Sequence, residues 1–211
     1  MKNISAHRYS SRPSIGHRLR PALLLGMSAL LLLGAEQAAA GTISGKVVGR
    51  ERYVKNTVVA IKAIAGDFKT PTEQPVMDQK DMQFVPRVLP VLKGTTVKFV
   101  NSDAAEHTVF SPDGESYDLG SWGQGGSKTW TFKETGTYTQ LCKLHALMVA
   151  YVVVRDNPYF SVTDSAGAFT IDNVPPGDYE LEIWNERMRA EPVSVNVTGG
   201  KTPGVEIELL R

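Results

Sequence analysis

The stretch Gly136-Thr137-Tyr138-Thr139-Gln140-Leu141-Cys142-Lys143-Leu144-His145-Ala146-Leu147-Met148 is the most restrictive pattern in the chain. Its first six residues open on Gly and are rich in Thr and Tyr, which predicts a β-strand ending near Leu141. The next seven place a thiol, an imidazole and a thioether in one short loop, each separated from the next by two residues. Val149 to Val154 is again β-type, so the loop joins two strands. Cys142 is the single cysteine of the 211 residues. An intrachain disulfide framework is therefore excluded, and with no Cys-x-x-Cys-His so is a covalently attached c-type haem.

Working outward, similar short runs recur at close spacing. Ile43 to Val47, Thr57 to Ile61, Thr96 to Val100 and Lys128 to Phe132 read as strands, as do Phe169 to Val174, Tyr179 to Trp184, Val193 to Val197 and Val205 to Leu209. Turn residues punctuate them, for instance Pro112-Asp113-Gly114 and Pro175-Pro176-Gly177. No window has helical periodicity. The expected class is all-β, as a sandwich or barrel, and 42% hydrophobic with 21% charged residues is ordinary globular composition.

Before these strands, Arg8, Arg12, Arg18 and Arg20 precede an apolar run from Ala22 to Gly34 and then Ala38-Ala39-Ala40. That order predicts a secretory signal peptide over residues 1–40, and a periplasmic or secreted mature chain. The run is short for a membrane span, and no later stretch approaches the roughly 20 apolar residues one requires. Cleavage after Ala40 would remove five basic residues and one acidic residue, taking the formal charge from +1 to −3. With no Lys/Arg cluster, no nucleic-acid partner is expected.

The same cleavage removes His7 and His17, leaving His107 and His145 as the mature histidines. Copper cycling between two oxidation states wants soft sulfur for one and imidazole for the other, which Cys plus two His plus a weak Met provides. Zinc favours a fuller set of strong ligands, and hard cations favour oxygen. His107 lies 35 residues before Cys142, so the fold has to bring it over the loop. A strand within Gly94 to Asp103, with Val97 and Phe99 facing inward, is expected to deliver it. Other readings stand beside this one. A buried Cys packs as a small hydrophobe, and Met148 can fill a core gap. A nucleophilic Cys142 with His145 as base needs an orienting third group, and none is identifiable. Asp103 and Glu106 read as solvated loop charges.

Taken together, Phe84-Val85-Pro86, Val97-x-Phe99-x-Asn101-x-Asp103-x3-His107 and Gly136-x-Tyr138-x3-Cys142-x2-His145-x2-Met148 resemble the cupredoxins, the small blue copper proteins. The resemblance spans about Val76 to Arg155 and implies a Greek-key sandwich with one type 1 copper held by His107, Cys142, His145 and Met148. The gap before the Met is most similar to that of amicyanins. Two positions depart from the family pattern. Thr108 stands where Asn often follows the first His, which is expected to weaken the tie between the two halves of the site. Leu144 stands where Pro often precedes the second His, which is expected to loosen the loop.

The flanks carry a second pattern. Thr163-Asp164-x2-Gly167-x-Phe169-x-Ile171-x-Asn173-Val174-Pro175-Pro176-Gly177-x-Tyr179-x-Leu181-x-Ile183, with Ile43-Ser44-Gly45-Lys46-Val47 and Asn56 to Val59 upstream, resembles a carboxypeptidase-regulatory-like, transthyretin-like β-sandwich. Each flank is short alone. The expected organisation is residues 41–70 plus 156–211 as this sandwich and 71–155 as the cupredoxin domain, inserted in or fused to it. The alternative gives residues 41–65 to the first cupredoxin strands. The combination resembles methylamine-utilisation-like periplasmic proteins.

Two His, one Cys and one Met leave no open strong-ligand position for substrate, which suits outer-sphere electron transfer rather than an enzyme. The expected partner is a redox protein, an unidentified dehydrogenase or cytochrome, met over the apolar Leu144, Ala146 and Leu147. The alternative function is a copper carrier or storage module that delivers the ion to a partner.

Overall fold

β-Branched and aromatic residues on alternate positions, broken every few residues by Gly, Pro, Asn or Asp, favour strands because each can bury one side on a core. The computed structural model describes residues 39–211, so the signal peptide read at 1–40 lies outside the described residues except for its last two. The described chain is β1 (Gly41–Val48), one helical turn α1 (Glu51–Val54), β2 (Val58–Ile61), β3 (Val76–Lys80), β4 (Gln83–Val85), β5 (Val88–Leu92) and β6 (Thr96–Asn101). It continues through β7 (His107–Ser111), β8 (Tyr117–Trp122), β9 (Ser127–Thr131), β10 (Gly136–Leu141), β11 (Val149–Arg155) and β12 (Phe160–Val162). Last come β13 (Ala168–Val174), β14 (Gly177–Trp184), β15 (Val193–Val197), β16 (Gly200–Lys201) and β17 (Val205–Glu208). The all-β expectation holds. Among the described residues no helix is long and apolar enough to cross a membrane.

These strands form four sheets. Two hold the middle of the chain: β5-β11-β10-β7-β8 and β4-β3-β6-β9. Between them lies a core that includes Val97, Phe99, Phe132, Tyr138, Cys142 and Met148. Val97 and Phe99 are fully buried, as their alternation on β6 predicts. The other two sheets are β12-β2-β14-β15, and β13-β1-β16 with β17 also on β1. Their core includes Ile43, Ile61, Phe169, Ile171, Leu181 and Ile207. Here β1 pairs with β13, β16 and β17, and β2 with β12 and β14. Neither pairs with any strand from β3 to β11. On β1 Gly45 is required by a close approach, since a Cβ there would stand 2.1 Å from the Val205 carbonyl and 2.8 Å from the Phe169 ring.

A third apolar layer joins the pairs of sheets. Val58 and Ala60 of β2 meet Val88 of β5 and Val153 of β11, with Tyr151, Phe160, Val162 and Trp184 packed around them. Period-2 alternation explains how one strand serves two layers. On β11, Ala150, Val152 and Val154 face the first core, while Tyr151 and Val153 face this seam. On β14, Tyr179, Leu181 and Ile183 face the second core, leaving Glu182 and Trp184 for the seam. Glu182 there accepts a 2.7 Å bond from Arg155 at the end of β11.

Candidate metal centre

The loop of residues 142–148 is the connection between β10 and β11, which pair antiparallel from Gly136↔Val154 to Leu141↔Val149. Cys142 and Met148 therefore sit one residue beyond the last rung, on opposite ends of a short arch. The arch is closed by a turn in which the Met148 N–H donates to the His145 carbonyl at 3.0 Å. His107 is the first residue of β7, and β7 pairs with β10 through Phe110↔Leu141. One sheet thus brings together residues 35 apart in the chain.

At the mouth of the arch, the His107 and His145 Nδ1 atoms stand 2.9 Å apart. The Cys142 Sγ lies 4.0 Å from the first and 3.7 Å from the second. Among the described residues this is the one group of three His, Cys, Asp or Glu whose ligand atoms all fall within 4.8 Å. Donors about 2.0–2.3 Å from one ion and about 120° apart would stand about 3.5–3.8 Å from each other, so the triangle needs only small adjustments to enclose one. His107 and Met148 are almost wholly buried and Cys142 is 6% exposed. Leu144 and Leu147 project outward from the same loop at 53% and 95% exposure.

Hydrogen bonds set the state of His107 and Cys142. The His107 Nε2 faces the Asp103 Oδ2 at 2.9 Å. A carboxylate there accepts a hydrogen bond from Nε2–H, which keeps the proton on Nε2 and leaves the lone pair on Nδ1, the atom aimed at His145 and Cys142. Asp103 is itself clamped: its two oxygens accept the Asp81 and Met82 N–H groups at 2.7 and 3.0 Å. The Met82 bond, then His107 and the Asp81 bond, hold the Asp103 carboxyl below the usual carboxylate range, against burial that raises it. Asn101 fastens the preceding loop by donating to the Ala105 and Trp122 carbonyls. The reading of Asp103 as a solvated charge is therefore corrected. Its signal lay in the i, i+4 spacing to His107, which carries meaning only once the loop geometry brings the two together.

Burial raises the Cys142 thiol. The Thr108 N–H and hydroxyl, the Leu144 N–H and the His107 ring more than offset this, bringing it down to about 6. The Thr108 N–H and Oγ1 point at Sγ from 3.5 and 3.6 Å. The same Oγ1 accepts the Lys143 N–H at 2.7 Å. Thr108 thus ties β7 to the loop, and the expectation of a weakened tie at this position is corrected too. A hydroxyl on Cβ reaches the loop because Thr108 lies two residues before Phe110, which pairs with Leu141, as Lys143 lies two residues after Leu141.

Two imidazole nitrogens, a readily formed thiolate and a buried thioether in the same core fit copper better than zinc or a hard cation. Residues 72–155 match the family model described as copper binding proteins, plastocyanin/azurin family. Residues 143–205 match that of polysaccharide lyase family 4, domain II. Among solved structures, a proline-to-alanine variant of oxidised amicyanin is 29% identical over 39% of this chain and 82% of its own, with a TM-score of 0.37. A copper-containing nitrite reductase from Thermus scotoductus SA-01 is 24% identical over 46% of this chain and 25% of its own, with a TM-score of 0.39. A purple cupredoxin from Nitrosopumilus maritimus is 23% identical over 39% of this chain and all of its own, with a TM-score of 0.36. No curated protein sequence matches the chain.

Proposed function

We propose that this chain, a copper-binding cupredoxin domain joined to a second β-sandwich, is a periplasmic type 1 copper protein that carries single electrons to or from a partner. His107, Cys142, His145 and Met148 hold the ion. The observation that carries this is the convergence of the His107, His145 and Cys142 donor atoms within 4.8 Å, beside a buried Met148. Copper, when bound, supplies a one-electron couple. The protein's own residues do the rest. Asp103 orients the His107 ring, Thr108 holds the cysteine as a thiolate, and the apolar core that Cys142 and Met148 belong to keeps water from the two sulfur donors. His145 lies nearer the surface, half-buried between the exposed Leu144 and Leu147. Its ring edge is the short path for an electron to a partner docked on those leucines.

The test is the visible spectrum of the purified mature protein with Cu(II). One copper per chain with an intense thiolate-to-copper band near the red end is expected, and Cys142→Ser is expected to abolish that band. Stoichiometric Cu(II) binding without it, or an unchanged spectrum in Cys142→Ser, would sink the assignment.

A further inference from the structure

The arch is supported from outside its own sandwich. β5 and β11 pair in parallel from Val88↔Tyr151 onward. Arg87, just before β5, accepts the Tyr151 N–H through its own carbonyl at 2.9 Å. Its side chain then continues along the strand edge where backbone pairing has ended. Nη1 donates to the Val149 carbonyl at 3.1 Å, and Val149 directly follows Met148.

The guanidinium's other two hydrogen bonds go to Glu186. Nε donates to Oε1 at 3.2 Å and Nη2 to Oε2 at 2.6 Å, a planar fork meeting a planar carboxylate. Glu186 belongs to the turn after β14, on the far side of the seam. That turn is fixed by the second sandwich: Asn185 donates to the Tyr53 carbonyl at 2.8 Å and the Thr57 hydroxyl at 2.7 Å. The Asn185 side-chain oxygen accepts the Arg187 and Met188 N–H groups at 3.0 Å. A partly exposed pair of this kind contributes little to stability. Its effect is geometric, because a bidentate fork permits one orientation of the guanidinium and so keeps Nη1 on Val149.

We propose that the second sandwich braces the C-terminal end of the arch through Glu186 and Arg87, positioning residues that set how closely the Met148 thioether approaches the copper. The proposal rests on the ligand assignment above. A weak axial ligand tunes the potential without holding much of the ion's affinity. Small displacements of Met148 are thus read in the spectrum and the potential, while His107, Cys142 and His145 keep the copper bound.

The experiment compares full-length wild type with Glu186→Ala, Glu186→Gln, Arg87→Lys and the Arg87→Ala, Glu186→Ala double variant. Glu180→Ala, which breaks the exposed Lys62–Glu180 pair of the same sandwich, is the control. Three quantities are read: the midpoint potential, the intensity ratio of the thiolate-to-copper bands, and the Met148 methyl resonance in metal-free protein. Glu186→Ala and Arg87→Lys are expected to shift all three with copper still at one per chain. Glu186→Gln should give a smaller shift, the double variant no more than a single one, and Glu180→Ala none. A folded Glu186→Ala or Glu186→Gln protein with all three unchanged would overturn the brace and leave the copper assignment standing. A wild-type protein lacking the thiolate band would overturn the ligand assignment instead, and the methyl resonance of the metal-free protein would still report whether Glu186 reaches the arch.

Discussion

Thr108 and Asp103 show how two ordinary polar residues prepare a site before any ion arrives. Thr108 presents two donors to one sulfur, and Asp103 selects the His107 tautomer through a 2.9 Å contact. The thiol is measurable in the metal-free protein. Its folded value of about 6 lies below the unfolded value of about 8.5, so the unfolded chain binds the extra proton between those limits. The thiolate's contribution to stability is therefore complete above about pH 8.5 and lost as pH falls through about 6. Thermal unfolding of metal-free wild type and Cys142→Ser from pH 5 to pH 9 isolates this contribution from the carboxylates. The wild type should gain on the variant across that window and level off above it. An equal difference at both ends would show that Cys142 is not held as a thiolate.

Among the elements, β11 has the greatest demands on it. It closes the copper arch at one end, pairs with both β10 and β5, and lends alternate residues to two apolar layers. Neighbouring positions on a strand with one wet face respond very differently to truncation, yet Val152 and Val153 are 0% and 2% exposed. Removing two methylene equivalents from either should cost about 2 kcal/mol by transfer and cavity terms. Chemical denaturation of Val152→Ala and Val153→Ala would check it. A Val153→Ala protein as stable as wild type would mean that the seam is loosely packed. Sequence periodicity identified this strand but not its double role, because alternation shows that two faces exist without showing what covers the second.

Across the whole molecule, we propose that residues 71–155 form a self-contained cupredoxin domain and that 41–70 and 156–211 fold together around the second core. A fragment of residues 71–155 keeps all four proposed ligands and the first core. It is expected to bind copper while exposing Val88, Tyr151 and Val153 of the seam, with lower stability and a tendency to self-associate. Deleting residues 156–211 instead leaves β1 and β2 without strand partners and should cause aggregation. If the 71–155 fragment folds only when 41–70 is restored, the early strands serve the copper domain and the division is wrong. Light scattering and copper-loaded absorption spectra separate these outcomes.

By itself the sequence determined the chemistry and the class. A lone Cys, two His past residue 40 and a Met at close spacing specify a soft donor set, and the 2.0 period specifies strands, because both are local properties of composition and order. It located the loop, the inward faces of Val97 and Phe99, and the second pattern in the flanks. What it left open required long-range geometry. Asp103 became a partner of His107 only when the loop between β6 and β7 folded onto the Asp81 and Met82 amides, and Thr108 a clamp on Cys142 only when β7 was laid beside β10. Arg87 and Glu186, 99 residues apart, have no signal in either segment alone. Strand pairing and seam packing decide which distant polar groups meet, and hydrogen bonds reach only a few ångströms.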